Sequence, residues 1–197
     1  MTATALRYGT PVRWLEITPD YRCNNRCVGC FSVNDAGPSM TPTEVVRALE
    51  RARAAGTTAL WLGGGEPTLR RDLFAIVAAA RARGFTTVKL QTNGMMLAYP
   101  AFAARCADAG ITEVSFGIRG ATAETHDRLA RTPGCFDLMC AGIAQARAAG
   151  MRCEGDVLVY ASNHVELPRV VDTFAPLGLG LLRVWVLSAA ETTDPAV

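Results

Sequence analysis

Short β-prone runs alternate with longer, alanine-rich amphipathic stretches through most of this 197-residue chain, and those stretches keep ending in glycine. The β-prone runs lie at 13–18, 58–62, 86–91, 113–118, 153–160 and 181–187. Between the first two, Thr41-Pro42-Thr43-Glu44 reads as an N-cap, a proline at the first helical position and a capping-box glutamate, and Val45, Val46, Leu49 and Ala52 supply the apolar stripe. Helices are expected to stop at Gly56, Gly84, Gly110, Gly150 and Gly178, each followed within a few residues by a strand. Strands separated by helices must run parallel through right-handed crossovers, which puts the helices on the outer face. A closed eight-unit barrel typically needs about 250 residues, so the expected class is α/β, an open partial (β/α)6 TIM-like barrel with parallel strands and helices outside. A flat doubly wound sheet is the alternative. Its dinucleotide fingerprint is absent after the first strand, although periodicity alone does not separate the two.

At 50% apolar, the chain can bury a full core. Residues 13–190 are expected to form one core domain, with 1–12 as an N-terminal extension and 191–197 as a C-terminal tail. Twenty basic against eighteen acidic residues give a formal charge of +2, no electrostatic footprint for nucleic acid. Arg47, Arg51 and Arg53, and Arg81 and Arg83, read as solvated helix faces. No secretory-type N-terminus and no apolar run of membrane-span length occur, so a soluble, cytoplasmic protein without a membrane partner is expected.

Seven cysteines are present, and three of them crowd into one loop after the first strand, Cys23, Cys27 and Cys30, at C-x3-C-x2-C spacing. The nearest histidine is His126, so no fourth ligand lies close in sequence. A structural zinc wants four protein ligands, whereas a cubane iron-sulfur cluster on three thiolates leaves one iron open. A motif of free thiolates argues for a reducing compartment. Cys106, Cys135, Cys140 and Cys153 have no metal-binding spacing and are expected as small, buried side chains in helices and one strand. Parallel α/β folds place active sites at the C-terminal ends of their strands, and every unusual loop follows a strand. After the cysteine loop come Gly63-Gly64-Gly65-Glu66-Pro67, Thr92-Asn93-Gly94, Arg119-Gly120, Ala161-Ser162-Asn163 and Ser188.

The loop Cys23-Asn24-Asn25-Arg26-Cys27-Val28-Gly29-Cys30 resembles the C-N-x-R-C-x-x-C motif of radical S-adenosylmethionine (radical SAM) enzymes, and the similarity continues to about Ser188. The family usually has an aromatic residue at the place of Gly29; here Phe31 stands on the far side of Cys30. Gly64, Gly65, Glu66 and Pro67 are similar to its GGEP motif, which implies that Gly64, Gly65 and Glu66 bind the methionyl amino group while Pro67 stiffens the exit. Thr92-Asn93-Gly94 resembles a T-N-G sequence of the family. Asn93 either contacts substrate or cofactor or, with Gly94, only turns the chain.

The stretch 115–136 resembles S-x-D-G...H-D...R...G-S-F, but Gly117 and Arg119 occupy the positions of the usual ribose-binding serine and aspartate. Arg131 matches the pattern's arginine and either faces the methionyl carboxylate or is an exposed residue at a helix end. Arg119 is the other candidate for that carboxylate. His126-Asp127 is read as fixing the local loop. Asn163 matches an asparagine near the cofactor pocket or serves as a helix N-cap. Glu154 and Asp156 share a strand face, inward or outward, and Tyr160 is a candidate hydrogen donor.

The resemblance implies a 4Fe-4S cluster and S-adenosylmethionine as cofactors, and reductive cleavage of the latter to a 5'-deoxyadenosyl radical that abstracts hydrogen from a peptide or small-molecule substrate. It also implies a one-electron donor such as flavodoxin or ferredoxin. With no cysteine after Cys153, the auxiliary-cluster domain of many peptide-modifying relatives is not expected, and the open barrel calls for a large substrate, another subunit or a further C-terminal region to close it. Two rival readings are a non-catalytic zinc or iron-sulfur module and a degenerate barrel acting as a partner subunit.

Overall fold

A computed structural model describes residues 13–30 and 38–186. The expected roles of Phe31 and Ser188, and the segments 1–12 and 191–197, lie outside the described residues. Six strands form one sheet in chain order: β1 (Trp14–Ile17), β2 (Ala59–Leu62), β3 (Thr87–Thr92), β4 (Glu113–Ile118), β5 (Arg152–Val159) and β6 (Leu182–Val186). All neighbouring pairs are parallel, and β1 does not meet β6, so the sheet is an open half-barrel.

Helices α1 (Pro42–Ala54), α2 (Leu73–Ala82), α3 (Pro100–Ala109), α4 (Ala123–Ala130), α5 (Cys135–Ala148) and α6 (Leu167–Phe174) lie in the crossovers. The start of α1 is the capping box read from the sequence. Glu44 N donates to Thr41 Oγ1 at 3.3 Å, and Thr41 N donates to Glu44 Oε2 at 2.7 Å, satisfying two otherwise orphaned donors. Gly56, Gly84, Gly110, Gly150 and Gly178 all take the left-handed conformation, with φ between +81° and +108°.

Period-two alternation sorts the strands into two faces. Leu60, Leu62, Val88, Leu90, Val114, Phe116, Ile118 and Val157 point outward into the main core with Val77, Phe85, Met139, Ile143 and Phe174 from the helical layer. The opposite residues line the concave face, and there the chain is polar. Lys89 is buried between Glu113, at 3.3 Å, and Glu154, at 2.7 Å, with its ammonium over the rings of Trp14 and Trp61. Arg183 bonds both Glu154 and Asp156, and Asp156 also accepts from Ser115 Oγ and from Trp185 Nε1. Glu154 and Asp156 therefore point inward, with both carboxylates engaged. Burial pushes Glu154's carboxyl up, but Lys89 and Arg183 outweigh it and hold it below the usual range. Paired in this way, the charges close the floor of the half-barrel and leave the strand ends as its working rim.

Candidate active site

The cysteine loop is held from three sides. Arg26 N donates to Ala130 O and Val28 N to Leu129 O, fastening the loop to the end of α4. Val28 packs with Leu129 and Tyr160 in a small separate apolar cluster, and the Tyr160 hydroxyl donates to Val28 O at 2.8 Å. That bond fixes the phenol, the candidate hydrogen donor of the sequence, against the backbone of the cysteine loop. Gly29, where an aromatic residue was the family expectation, has φ of +60°, a conformation that disfavours a side chain. Arg70, not singled out in the sequence, clamps the loop's stem. Its guanidinium donates to Pro19 O at 2.6 Å, Ser39 Oγ at 3.2 Å and Met40 O at 3.2 Å, and pairs with Asp72.

The glycine triplet was expected to bring backbone close to a ligand. Its nearest neighbours are protein. A Cβ on Gly65 would stand 2.2 Å from Arg22 O, and one on Gly64 would stand 2.6 Å from Asp20 O. Gly65 N donates to Asp20 O and Glu66 N to Arg22 O, so the missing side chains let this loop lie directly on the segment that leads into Cys23. Glu66 is buried and bridges to β3: Oε1 accepts from Thr68 N, Thr68 Oγ1 and Thr92 Oγ1, and Oε2 from Asn93 N at 2.7 Å. A carboxylate offers about four acceptor sites, and with three donors on Oε1 the spare capacity is on Oε2. Burial pushes its carboxyl up, against the pull of these hydrogen bonds. Pro67 begins the short 3-10 turn that follows.

Asn93 spends its amide locally: Oδ1 accepts from Met95 N and Nδ2 donates to Asn24 Oδ1 at 2.7 Å, tying the β3 turn to the cysteine loop. Asn163 is not a side-chain helix cap. It is buried, its Nδ2 donates to Arg119 O and Leu158 O, and its Oδ1 accepts from Tyr160 N. Asp127 accepts from Gly134 N and Phe136 N at the start of α5, and buried His126 Nδ1 accepts from Arg119 N at 3.3 Å. The pair fixes the loop around it, as read from sequence.

Cys23, Cys27 and Cys30 line one cavity with Gly64, Gly65, Glu66, Asn93, Gly117, Arg119 and His126. None of the three thiols is in a disulfide, all are half-buried, and burial pushes the Cys23 thiol up to about 11. A metal bound there has to displace that proton. Among the described residues no three side chains close around a single metal-ion position. The donor set fits a cubane cluster, in which each thiolate takes a different iron. Arg119 sends its side chain into the same cavity, where Nη1 is buried without a hydrogen-bond partner among the described residues. Burial disfavours its charge, but the neighbouring Cys27, Tyr160 and Cys30 more than offset this, and Cys27 accepts a hydrogen bond from it. Arg131 lies elsewhere. It is the exposed, left-handed C-cap of α4, with φ of +52°, beside a separate surface hollow with Glu124 and Asp127.

His126 makes acid stability testable. Burial, then the charge of Arg119, lowers its pKa from 6.5 to about 4, so the unfolded chain binds its proton first. The stability this group contributes is complete above pH 6.5 and is lost as pH falls toward 4. At about 1.4 kcal/mol per unit, the loss is about 3 kcal/mol. Urea denaturation of the iron-free protein across that range checks it: His126→Gln is expected to flatten the profile, and an unchanged profile would remove His126 from the explanation.

A parallel half-barrel with three thiols of one loop, none in a disulfide, at its strand ends, facing a buried glutamate and a guanidinium with one buried nitrogen unbonded among the described residues, defines a class of cofactor-dependent α/β protein. A model of the Radical SAM superfamily matches residues 17–174, and the chain belongs to that superfamily, whose cofactors are a 4Fe-4S cluster and S-adenosylmethionine. It is 29% identical over 182 residues to a probable GTP 3',8-cyclase of Metallosphaera sedula, covering 90% of this chain and 56% of that protein. It is 31% identical over 168 residues to an AdoMet-dependent heme synthase of Methanosarcina barkeri, covering 84% and 48%. The chain thus spans about half the length of these curated relatives. In fold it is similar to Streptococcus suis SuiB bound to S-adenosylmethionine, with a TM-score of 0.78 at 17% identity over 94% of this chain and 43% of that one. Methylornithine synthase (PylB) gives 0.75 at 16% identity over 89% and 53%.

Proposed function

We propose that this chain is the catalytic core of a radical SAM enzyme in which Cys23, Cys27 and Cys30 hold a 4Fe-4S cluster. When bound, that cluster supplies one-electron reductive cleavage of S-adenosylmethionine to a 5'-deoxyadenosyl radical, which takes hydrogen from the substrate. The observation that carries the reading is the meeting of three thiols from one loop, none in a disulfide, with Glu66 in one cavity. Glu66 Oε2 and the backbone of Gly64 and Gly65 receive the methionyl amine, and Pro67 holds the exit of that loop. Asn93 and Asn163 position the surrounding loops through the bonds described above. Arg131, outside the cavity, takes no part in our assignment.

Residues 13–190 form the core domain in this reading. The activity needs a reductant and a substrate. We assign the first to a flavodoxin- or ferredoxin-like donor and place the enzyme in the reducing cytoplasm, where its thiols persist. No helix among the described residues is long and apolar enough to cross a membrane. The substrate is a peptide or small molecule admitted through the open side of the half-barrel, which that substrate, another subunit or further chain closes. The test is anaerobic reconstitution with iron and sulfide, reduction with dithionite in the presence of S-adenosylmethionine, and assay of 5'-deoxyadenosine. Formation of 5'-deoxyadenosine is expected. Zinc uptake in place of a cluster, or a reduced cluster without cleavage, contradicts the proposal.

A further inference from the structure

Arg119 stands where the family pattern places an acid, so the sign of the charge at this strand end is reversed. Its main chain is held at both ends: N–H donates to His126 Nδ1, and O accepts from Asn163 Nδ2 at 2.8 Å. Its side chain shares the cavity of Cys23, Cys27 and Cys30, where it hydrogen-bonds Cys27, and its buried Nη1 finds no protein partner among the described residues. Cys27, Tyr160 and Cys30 are the groups whose charge acts on it. A guanidinium stays charged under all ordinary conditions and cannot leave by losing its proton.

We propose that Arg119 tunes the cluster electrostatically, raising its reduction potential by holding a fixed positive charge and a hydrogen bond against the Cys27 sulfur. This inference rests on the cluster assignment made above. Reduction adds one electron, taken from the external one-electron donor, and one negative charge to the cluster; no bond in the protein is made or broken. A cation fixed beside a cluster ligand stabilises the more negative state, and net charge and hydrogen bonds to sulfur are among the factors that set cluster potentials. His126 and Asn163 are then positioning residues that hold the backbone from which this cation is presented.

The experiment is a redox titration, followed by electron paramagnetic resonance, of the anaerobically reconstituted wild type, Arg119→Gln, Arg119→Met and Arg119→Lys proteins without S-adenosylmethionine. Both neutral variants are expected to titrate at lower potential. The expected size is a roughly tenfold fall in the reduced-to-oxidised ratio at the wild-type midpoint, which is about 59 mV for one electron. The lysine variant should fall between them and the wild type. Two neutral shapes are used so that failure of one to load iron leaves the other. Midpoints that coincide with the wild type overturn the inference, and do so decisively if the neutral variants instead bind S-adenosylmethionine more weakly, since Arg119 is then a carboxylate clamp. A wild type that forms no reducible cluster overturns the underlying assignment, a separate and recognisable failure.

Discussion

Replacing any one of Cys23, Cys27 and Cys30 by alanine is expected to abolish the visible absorption of the reconstituted protein and all 5'-deoxyadenosine formation, with little change in the stability of the iron-free chain. The three thiols are half-buried and belong to the loop, outside the main hydrophobic core. Truncating them therefore costs less than about 1 kcal/mol of folding stability. Their value lies in number, because with two thiolates a cubane loses a second protein ligand and its hold on the loop. Cys106 is the matching control. It is buried within the core of α3, so Cys106→Ala should lower stability by about 1 kcal/mol through the small cavity it leaves, yet load iron normally. Urea denaturation and iron content, measured on the same preparations, separate the two patterns. Equal loss of iron in Cys106→Ala would mean that the metal is not held by the loop alone.

Gly65→Ala is the second large effect, and it acts through packing alone. The added methyl would stand 2.2 Å from Arg22 O and 2.5 Å from the Tyr21 carbonyl carbon, both backbone atoms that cannot rotate away. The two loops must separate, breaking the bonds from Gly65 N to Asp20 O and from Glu66 N to Arg22 O. Overpacking and the two lost bonds together are worth about 3 kcal/mol. Because Arg22 adjoins Cys23, the displacement also moves the first thiol, so iron loading should fall as well. Gly150→Ala is the comparison: at φ of +84° it pays only the left-handed penalty, about 1 kcal/mol, with no atom within 4 Å of the new methyl. If Gly65→Ala were no more destabilising than Gly150→Ala, the contact between these loops would not be what the glycines serve.

Much of the scaffold was legible because local rules and the global fold agree. The run 113–118 is β4 itself, and the other five strands fall within two residues of expectation. All five helix-ending glycines are left-handed because no other residue adopts that turn at so little cost. Alternation told that Glu154 and Asp156 share a face but not that the face is concave, since curvature is a property of the whole sheet. Their partners Lys89 and Arg183, like Trp14, Trp61 and Trp185, come from other strands and meet only after folding.

In the site, the cysteine spacing carried its message unaided, and the loop following β2 was recognisable from its glycines. What those glycines touch was not recognisable, because the lead-in to Cys23 lies more than forty residues earlier in the chain, although a Cβ on Gly65 would stand only 2.2 Å from Arg22 O. Arg70 was passed over as one arginine among many. Its position directly after the Glu66 turn, three residues before a helix, was the one available hint that it stays with the loop. Asn163 looked like a cap because a helix follows it, whereas its amide satisfies the carbonyl of Arg119, at the end of β4, and that of Leu158 in the preceding strand β5.

The most direct test of the account is electron-nuclear double resonance on the reduced, reconstituted protein with S-adenosylmethionine isotopically labelled at its amino nitrogen and carboxylate oxygens. The account predicts hyperfine coupling of both labels to a cluster ligated by only three protein thiolates. A reduced cluster that shows no coupling to either label, or that carries a fourth protein ligand, would contradict it.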